Sequence, residues 1–197
     1  MMRVVWVLLL VFCLVAAYHS WLHREMSRPA GILAAEEPLQ GSAGGLPDIQ
    51  KDEFRIKPLA TFDIKARVIL AKRYWFGQGS GLAPVDLALG WGPMSDSNIL
   101  QHFKFSQSDR FYFWSTQSFP VSRGVIESHT ANMHMIPAND EIEDVLKAVR
   151  PGNIVHVKGY LVEAFAPNGW RWRSSLSRTD TGRGACEIIW VESIEVN

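Results

Sequence analysis

The chain has 197 residues, with 20 Lys and Arg balanced by 20 Asp and Glu, so its formal net charge at neutral pH is zero. A general nucleic-acid binder carries a basic excess, so that class loses ground at once and no nucleic-acid partner is expected. Two cysteines, Cys13 and Cys186, fall in segments of different character and leave no internal disulfide to staple a domain, whose stability must come from its core.

Arg3 precedes an unbroken apolar run from Val4 to Ala17, which fades through Tyr18, His19, Ser20, Trp21 and Leu22 into His23 and Arg24. A membrane-spanning helix needs about 20 mostly apolar residues. Residues 4–22 just reach that length, with Tyr18 and Trp21 where interfacial aromatics sit. The alternative is a secretory signal cleaved after Ala17, since Val15-Ala16-Ala17 offers small residues at the cut. Both readings put the bulk of the chain outside the cytoplasm. We expect residues 1–22 to form a membrane anchor or signal segment, held as a single pass in a bacterial inner membrane with the C-terminal domain in the periplasm.

Residues 23–53 are rich in Ala, Gly, Pro, Glu and Gln, contain Gly41-Ser-Ala-Gly-Gly45 and lack a periodic apolar face. This composition reads as a flexible linker. Residues 54–197 fit one domain of ordinary size, and six of the eight Trp fall within it, which marks it as the folded part.

Within that domain, Leu59 to Trp75 predicts a long strand, with Phe62, Ile64, Ala66, Val68 and Leu70 on one side and Asp63, Lys65 and Arg67 on the other. Gly77-Gln-Gly-Ser-Gly81 breaks it. Val85 to Leu89 reads as a short apolar turn or helix, followed by a brief helix capped by Ser95 or Asp96. Phe103-Lys-Phe105 and Phe111-Tyr-Phe-Trp114 predict a hairpin, and Gly124 to Ile136 another strand. Asn139 or Asp140 caps a helix with Ile142, Val145, Leu146 and Val149 at helical spacing, ended by Pro151-Gly152. Strands follow at Ile154–Phe165, Trp170–Leu176 and Cys186–Val196.

This order predicts an α+β, mostly β fold. A lone helix between the third and fourth main strands resembles an OB-like five-stranded barrel with one helix and an irregular insertion, set behind the membrane helix and tether. The blocks Pro84-Val-Asp-Leu-Ala-Leu-Gly-Trp-Gly92, Ser128-His-Thr-Ala-Asn-Met-His134 and Asp180-Thr-Gly-Arg-Gly-Ala-Cys186 also resemble members of a family of membrane-anchored bacterial proteins of uncharacterised activity. That resemblance implies the anchoring and transfers no reaction.

Four constellations bear on chemistry. His129 and His134 are five apart, so in a strand they face opposite sides, and in a helix they diverge by about 140°. Neither arrangement holds one ion, and no metal or other cofactor is expected. Cys186 with His129 or His134, oriented by Asp180 or Asn132, offers a nucleophile and base. Yet it opens the apolar run Ile188-Ile189-Trp190, where a small buried thiol is routine packing. Asp180-Thr-Gly182 matches the aspartic-protease triplet only in letters, without the second carboxylate that chemistry needs. Gly77-Gln-Gly-Ser-Gly81 lacks the lysine and hydroxyl of a phosphate loop. Trp170-Arg-Trp-Arg173 sends both Trp to one face and both Arg to the other, either filling a core or forming a stacking platform, with Arg171, Arg173 and Arg178 available to carboxylates or phosphates.

The sequence therefore points to a membrane-tethered, extracytoplasmic binding or scaffold domain for a periplasmic protein or a small anionic ligand. The expected groove combines the Arg171–Arg173 strand, Arg178, Asn132 in the His129–His134 segment, and the Asp180–Cys186 turn. The alternative is a thiol-dependent hydrolase or transferase using Cys186 with a histidine.

Overall fold

The computed structural model describes residues 2–77, 79–177, 180, 182 and 185–197. The apolar run forms one helix, α1 (Met2–His23). Leu8, Leu10, Phe12 and Leu14 are all exposed, and no hydrophobic cluster of the domain includes them. Among the described residues, no helix is long and apolar enough to cross a membrane.

Where the composition predicts a free linker, the chain is docked on the domain. Met26 N–H donates to Pro151 O at 2.8 Å, and Arg28 Nε to Gly152 O at 2.7 Å. The backbone N–H groups of Leu33 and Ala34 donate to the buried Ser95 hydroxyl at 3.0 and 3.1 Å. Two short strands follow, β1 (Leu39–Ser42) and β2 (Ile49–Lys51), each antiparallel to β3 (Phe54–Arg73). Backbone hydrogen bonds hold this segment, so it needs no apolar periodicity, which is why its composition conceals it.

β3 is twenty residues long and carries the expected alternation, with Phe62, Ile64, Ala66 and Val68 buried. Register shifts between Pro58 and Ala60 and between Val68 and Leu70 bend it. The second shift moves the buried position from Leu70 to Ala71. Bent in this way, β3 pairs with β4 (Val85–Gly90) through its C-terminal half, and with β8 (Ile154–Phe165) through the rest.

The Val85–Leu89 run is therefore a strand, and every residue of β4 is buried. A turn of 3₁₀ helix at Gly92–Ser95 leads to α2 (Ser97–Leu100), capped by Asp96. The predicted hairpin forms as β5 (Phe103–Ser108) and β6 (Phe111–Thr116), a separate two-stranded sheet. The segment from Gly124 splits into α3 (Arg123–Ser128) and β7 (Thr130–Pro137). Ser122 accepts from Val125 N–H and so caps α3, a start signal that the strand reading overlooks. Next come α4 (Asp140–Ala148), capped by Asn139, and β8. β9 (Arg171–Arg173) and β10 (Glu187–Val196) complete the chain.

The fold is thus α+β and mostly β, with an eight-stranded sheet. Five strands pair in the order β3-β4-β7-β10-β8, and β8 returns to β3. The result is a barrel-like ring, not evenly closed, in which β7 and β10 are parallel and the other ring pairs antiparallel. Its interior is apolar: Phe62, Ile64, Val68, Leu87, Leu89, Met133, Met135, Val157, Leu161 and Ile189, with Leu146 and Val149 from the α4 region. A second cluster on the outer face joins Ile56, Leu82, Ile136, Val162, Ile188 and Trp190, with Trp170 and Trp172 packed against it. A third, Met94, Phe103 and Ile126, seats the hairpin.

Candidate functional site

Alternation along β7 decides what the hairpin covers. Ala131, Met133 and Met135 belong to the interior. Thr130, Asn132 and His134 face outward, opposite Gly90, Ala88 and Asp86 of β4. All three are buried: Tyr112 and Gln107 of the hairpin meet Thr130 and Asn132, and Trp172 of β9 lies against His134. The Tyr112 hydroxyl is 2.6 Å from Thr130 Oγ1. Gln107 Nε2 donates to Asn132 Oδ1 at 2.6 Å, and Asn132 Nδ2 donates to Arg110 O at 2.9 Å.

At the hairpin tip the bolt is ionic. Asp86, fully buried, takes Arg110 Nη1 at 2.6 Å and lies 2.8 Å from His134 Nδ1 on the same oxygen. Arg110 also donates to Ala83 O at 2.9 Å and lies over the Tyr74 ring at 3.7 Å. Burial first, and then the Asp86 charge, push the Tyr74 phenol well above its ordinary range. Trp172 closes the cluster, its ring 4.5 Å from that of His134.

Beside this bolt lies a cavity of about 460 Å³. One wall is the aromatic run of β6, Phe111 to Trp114, with Trp91 behind it. The floor is Thr130 to Asn132, and the far side is Ala185, Cys186 and Glu187 with Asp180. Glu127 and Arg123 of α3 stand at its margin, paired at 2.8 Å. Asp180 accepts from the Ser175 hydroxyl at 2.6 Å. The Cys186 thiol is pushed up to about 12 by burial and then by the negative charges of Glu187, Asp86 and Asp180. A thiol raised in this way carries little thiolate near neutral pH. Tyr112 is also raised, mainly by burial, with its Thr130 hydrogen bond acting in the opposite direction.

Of the residues the sequence singles out, the structure brings Asn132, Asp180 and Cys186 together on this cavity. His134 shares the outward face with Asn132 but is committed to Asp86 and Trp172. His129 caps the C-terminus of α3, with Nδ1 2.9 Å from Val125 O and Nε2 2.9 Å from Glu37 Oε1, and does not line the cavity. The two histidines diverge, as their spacing requires. Among the described residues, no group of three or more His, Cys, Asp or Glu could hold a metal ion.

Arg171 and Arg173 stand on β9 and both reach Glu163 of β8, at 2.5 and 2.7 Å. Burial would raise the Glu163 carboxyl, but hydrogen bonds from the two guanidinium groups, and their charges, outweigh it and hold the carboxyl below its ordinary range. The pair neutralises a buried acid and is absent from the cavity lining. Arg178 lies outside the described residues.

The sequence reading missed the Asp86–Arg110–His134 bolt. Its signal was Asp86 itself, a lone carboxylate inside the apolar Val85–Leu89 run, which must find partners when that run is buried. No family model, no curated protein and no solved structure matches the chain.

Proposed function

We propose that the chain is a membrane-anchored, extracytoplasmic binding domain built on an OB-like five-stranded barrel, with its ligand site in the cavity beside β6. The observation that carries this reading is the cavity itself, about 460 Å³ with an aromatic wall and polar floor, at the junction of the inserted hairpin with the ring.

Several features support the architecture. The ring order, the parallel β7–β10 pair and the position of α4 between the third and fourth ring strands fit an OB-like barrel. The apolar, exposed side chains of α1 favour a bilayer as their solvent, with the domain on the periplasmic side of a bacterial inner membrane. Arg171 and Arg173 are matched by Glu163, so a protein partner fits the cavity better than a small anion. The acidic surroundings of Cys186 favour binding over thiol chemistry.

The test uses the full chain in detergent. A library spanning amines, acids, aromatics and short peptides is screened by thermal shift against the wild type and against Ala185→Trp, which fills the cavity. Compounds that stabilise only the wild type place binding in the cavity; a library without one sinks the reading. Alkaline phosphatase fused after Asn197 checks the location, and an inactive fusion with an active cytoplasmic reporter would reverse it.

A further inference from the structure

α1 leaves the domain along an identifiable side. Met26, just past its end, is bonded to Pro151 behind α4. Arg73, the last residue of β3, caps that same end of α4, donating from Nε to Lys147 O at 2.6 Å and from Nη2 to Val149 O at 3.0 Å. Burial lowers the hold of the Arg73 guanidinium on its proton, and the Tyr18 phenol of α1 acts in the opposite direction. From Met26, α1 therefore runs back past the C-terminal end of β3, with Tyr18 near Arg73.

Trp75 and Phe76 come directly after that strand end. Lys147 Nζ lies 5.8 Å from the centre of the Trp75 ring, which keeps the ring at the C-terminal end of α4. Trp75 is 68 % exposed and Phe76 91 %, the most exposed large apolar side chain among the described residues. The loop that carries them is fastened. Tyr74 N–H donates to Pro84 O and Ala83 N–H to Gly79 O, both at 2.8 Å, while Gly79, at φ 78°, lies against Trp170 and Trp172. From Trp75 to Pro84 the sequence carries no charged side chain. Single exposed apolar residues are ordinary, but an adjacent aromatic pair on a fixed, uncharged loop marks a contact surface.

We propose that Trp75 and Phe76 enter the interfacial layer of the bilayer that holds α1, and so give the domain a second contact with lipid. This rests on the anchor reading of α1 and extends it to the folded domain. The occupant follows from where the pair stands, near the turn of α1 that carries Tyr18, itself an interfacial aromatic on that reading. Aromatic rings favour this layer, where an apolar body meets the acyl chains and the indole N–H stays wet. A loop without charge enters it with no ion to desolvate.

The test places the full chain in vesicles of equal parts phosphatidylcholine and phosphatidylglycerol, with one nitroxide on a single cysteine. Cys186→Ala is common to every sample. One sample keeps Cys13 of α1, and the others combine Cys13→Ala with Phe76→Cys or Gly124→Cys. All three labelled positions are exposed. Gly124 is the water-side control. It lies on α3, at the end of β4 where Gly90 pairs with Thr130 and away from Val85 and Arg73, and an added Cβ there meets nothing within 4 Å. Power saturation compares collisions with oxygen, which partitions into lipid, and with a nickel chelate, which stays in water. The label at 76 is expected about 5–10 Å into the headgroup–acyl boundary, with the label at 13 deeper and that at 124 in water. Lipid around 13 but water around 76 overturns this inference and leaves the anchor reading standing. Lipid around 124 as well as 76 shows that the label itself seeks the bilayer, and overturns the inference too. Water around 13 sinks both.

Discussion

Asp86 and His134 sit opposite one another in the β4–β7 ladder, both buried, with Nδ1 2.8 Å from Oδ1. The carboxylate that meets the imidazole also takes Arg110 from the hairpin tip. One side chain on a ring strand thus fixes the inserted hairpin that walls the cavity. Asp86→Ala should cost about 3–5 kcal/mol of stability, because it leaves the Arg110 guanidinium in a mostly buried place without its counter-charge. Denaturant unfolding of the full chain measures this, and a loss under about 1 kcal/mol would show the cluster to be solvated.

Ser95 holds the segment before β1 through two backbone N–H groups. Ser95→Ala leaves these buried donors unsatisfied and should destabilise the chain by about 1–3 kcal/mol. Hydrogen exchange at Leu33 and Ala34 should accelerate more than exchange in β8. Unchanged protection at both amides would show that the segment is held by other means.

Cys186 has an ordinary thiol value of 9.0 and is pushed up to about 12 in the fold. A thiol reagent should modify it slowly near pH 7 and progressively faster as pH rises toward that value. The folded state holds this proton more tightly than the unfolded state. Its contribution to stability is therefore intact below about pH 9 and is lost between about pH 9 and 12. Cys186→Ala should flatten stability over that window. Rapid modification at pH 7 would instead reveal an activated thiol.

Glu163 has the opposite sign. Its carboxyl is held below the ordinary 4.5 by Arg171 and Arg173, so its contribution is present above that pH and declines as pH falls below it. Glu163→Gln should remove part of the acid-side fall in stability, leaving the two arginines unneutralised at neutral pH. An unaltered acid unfolding profile would show that the β8–β9 ion pairs contribute nothing.

Leu146 closes the ring interior from α4. Leu146→Ala should cost about 2–5 kcal/mol. Denaturant unfolding of the full chain measures this, and a loss under about 1 kcal/mol would show that the ring interior does not depend on Leu146.

Much of the fold was legible where periodicity was strong. The alternation of β3, the Phe-rich hairpin, the Asn139-capped helix and β8 follow from single-element signals. The residues of β4 read as a turn or helix in the sequence because a short run buried on both faces has no alternation to show. The strands at Leu39–Ser42 and Ile49–Lys51 were hidden because edge pairing depends on backbone groups, which composition does not report. In the site, Asn132, Asp180 and Cys186 could be named from their local blocks. Arg110 could not, since its partner Asp86 lies 24 positions away and only the fold brings them together.

The docking of residues 26–53 changes what sort of device the anchor makes. Only Arg24 and Glu25 separate the end of α1 from Met26, which is already bonded to Pro151. A thirty-residue leash would let the domain sweep a hemisphere and meet partners in any orientation. A two-residue joint does not. With α1 in the bilayer as proposed, the domain stands close to the lipid surface and presents its cavity at a restricted height and angle. Partners would then be selected by their own distance from the membrane as well as by their sequence.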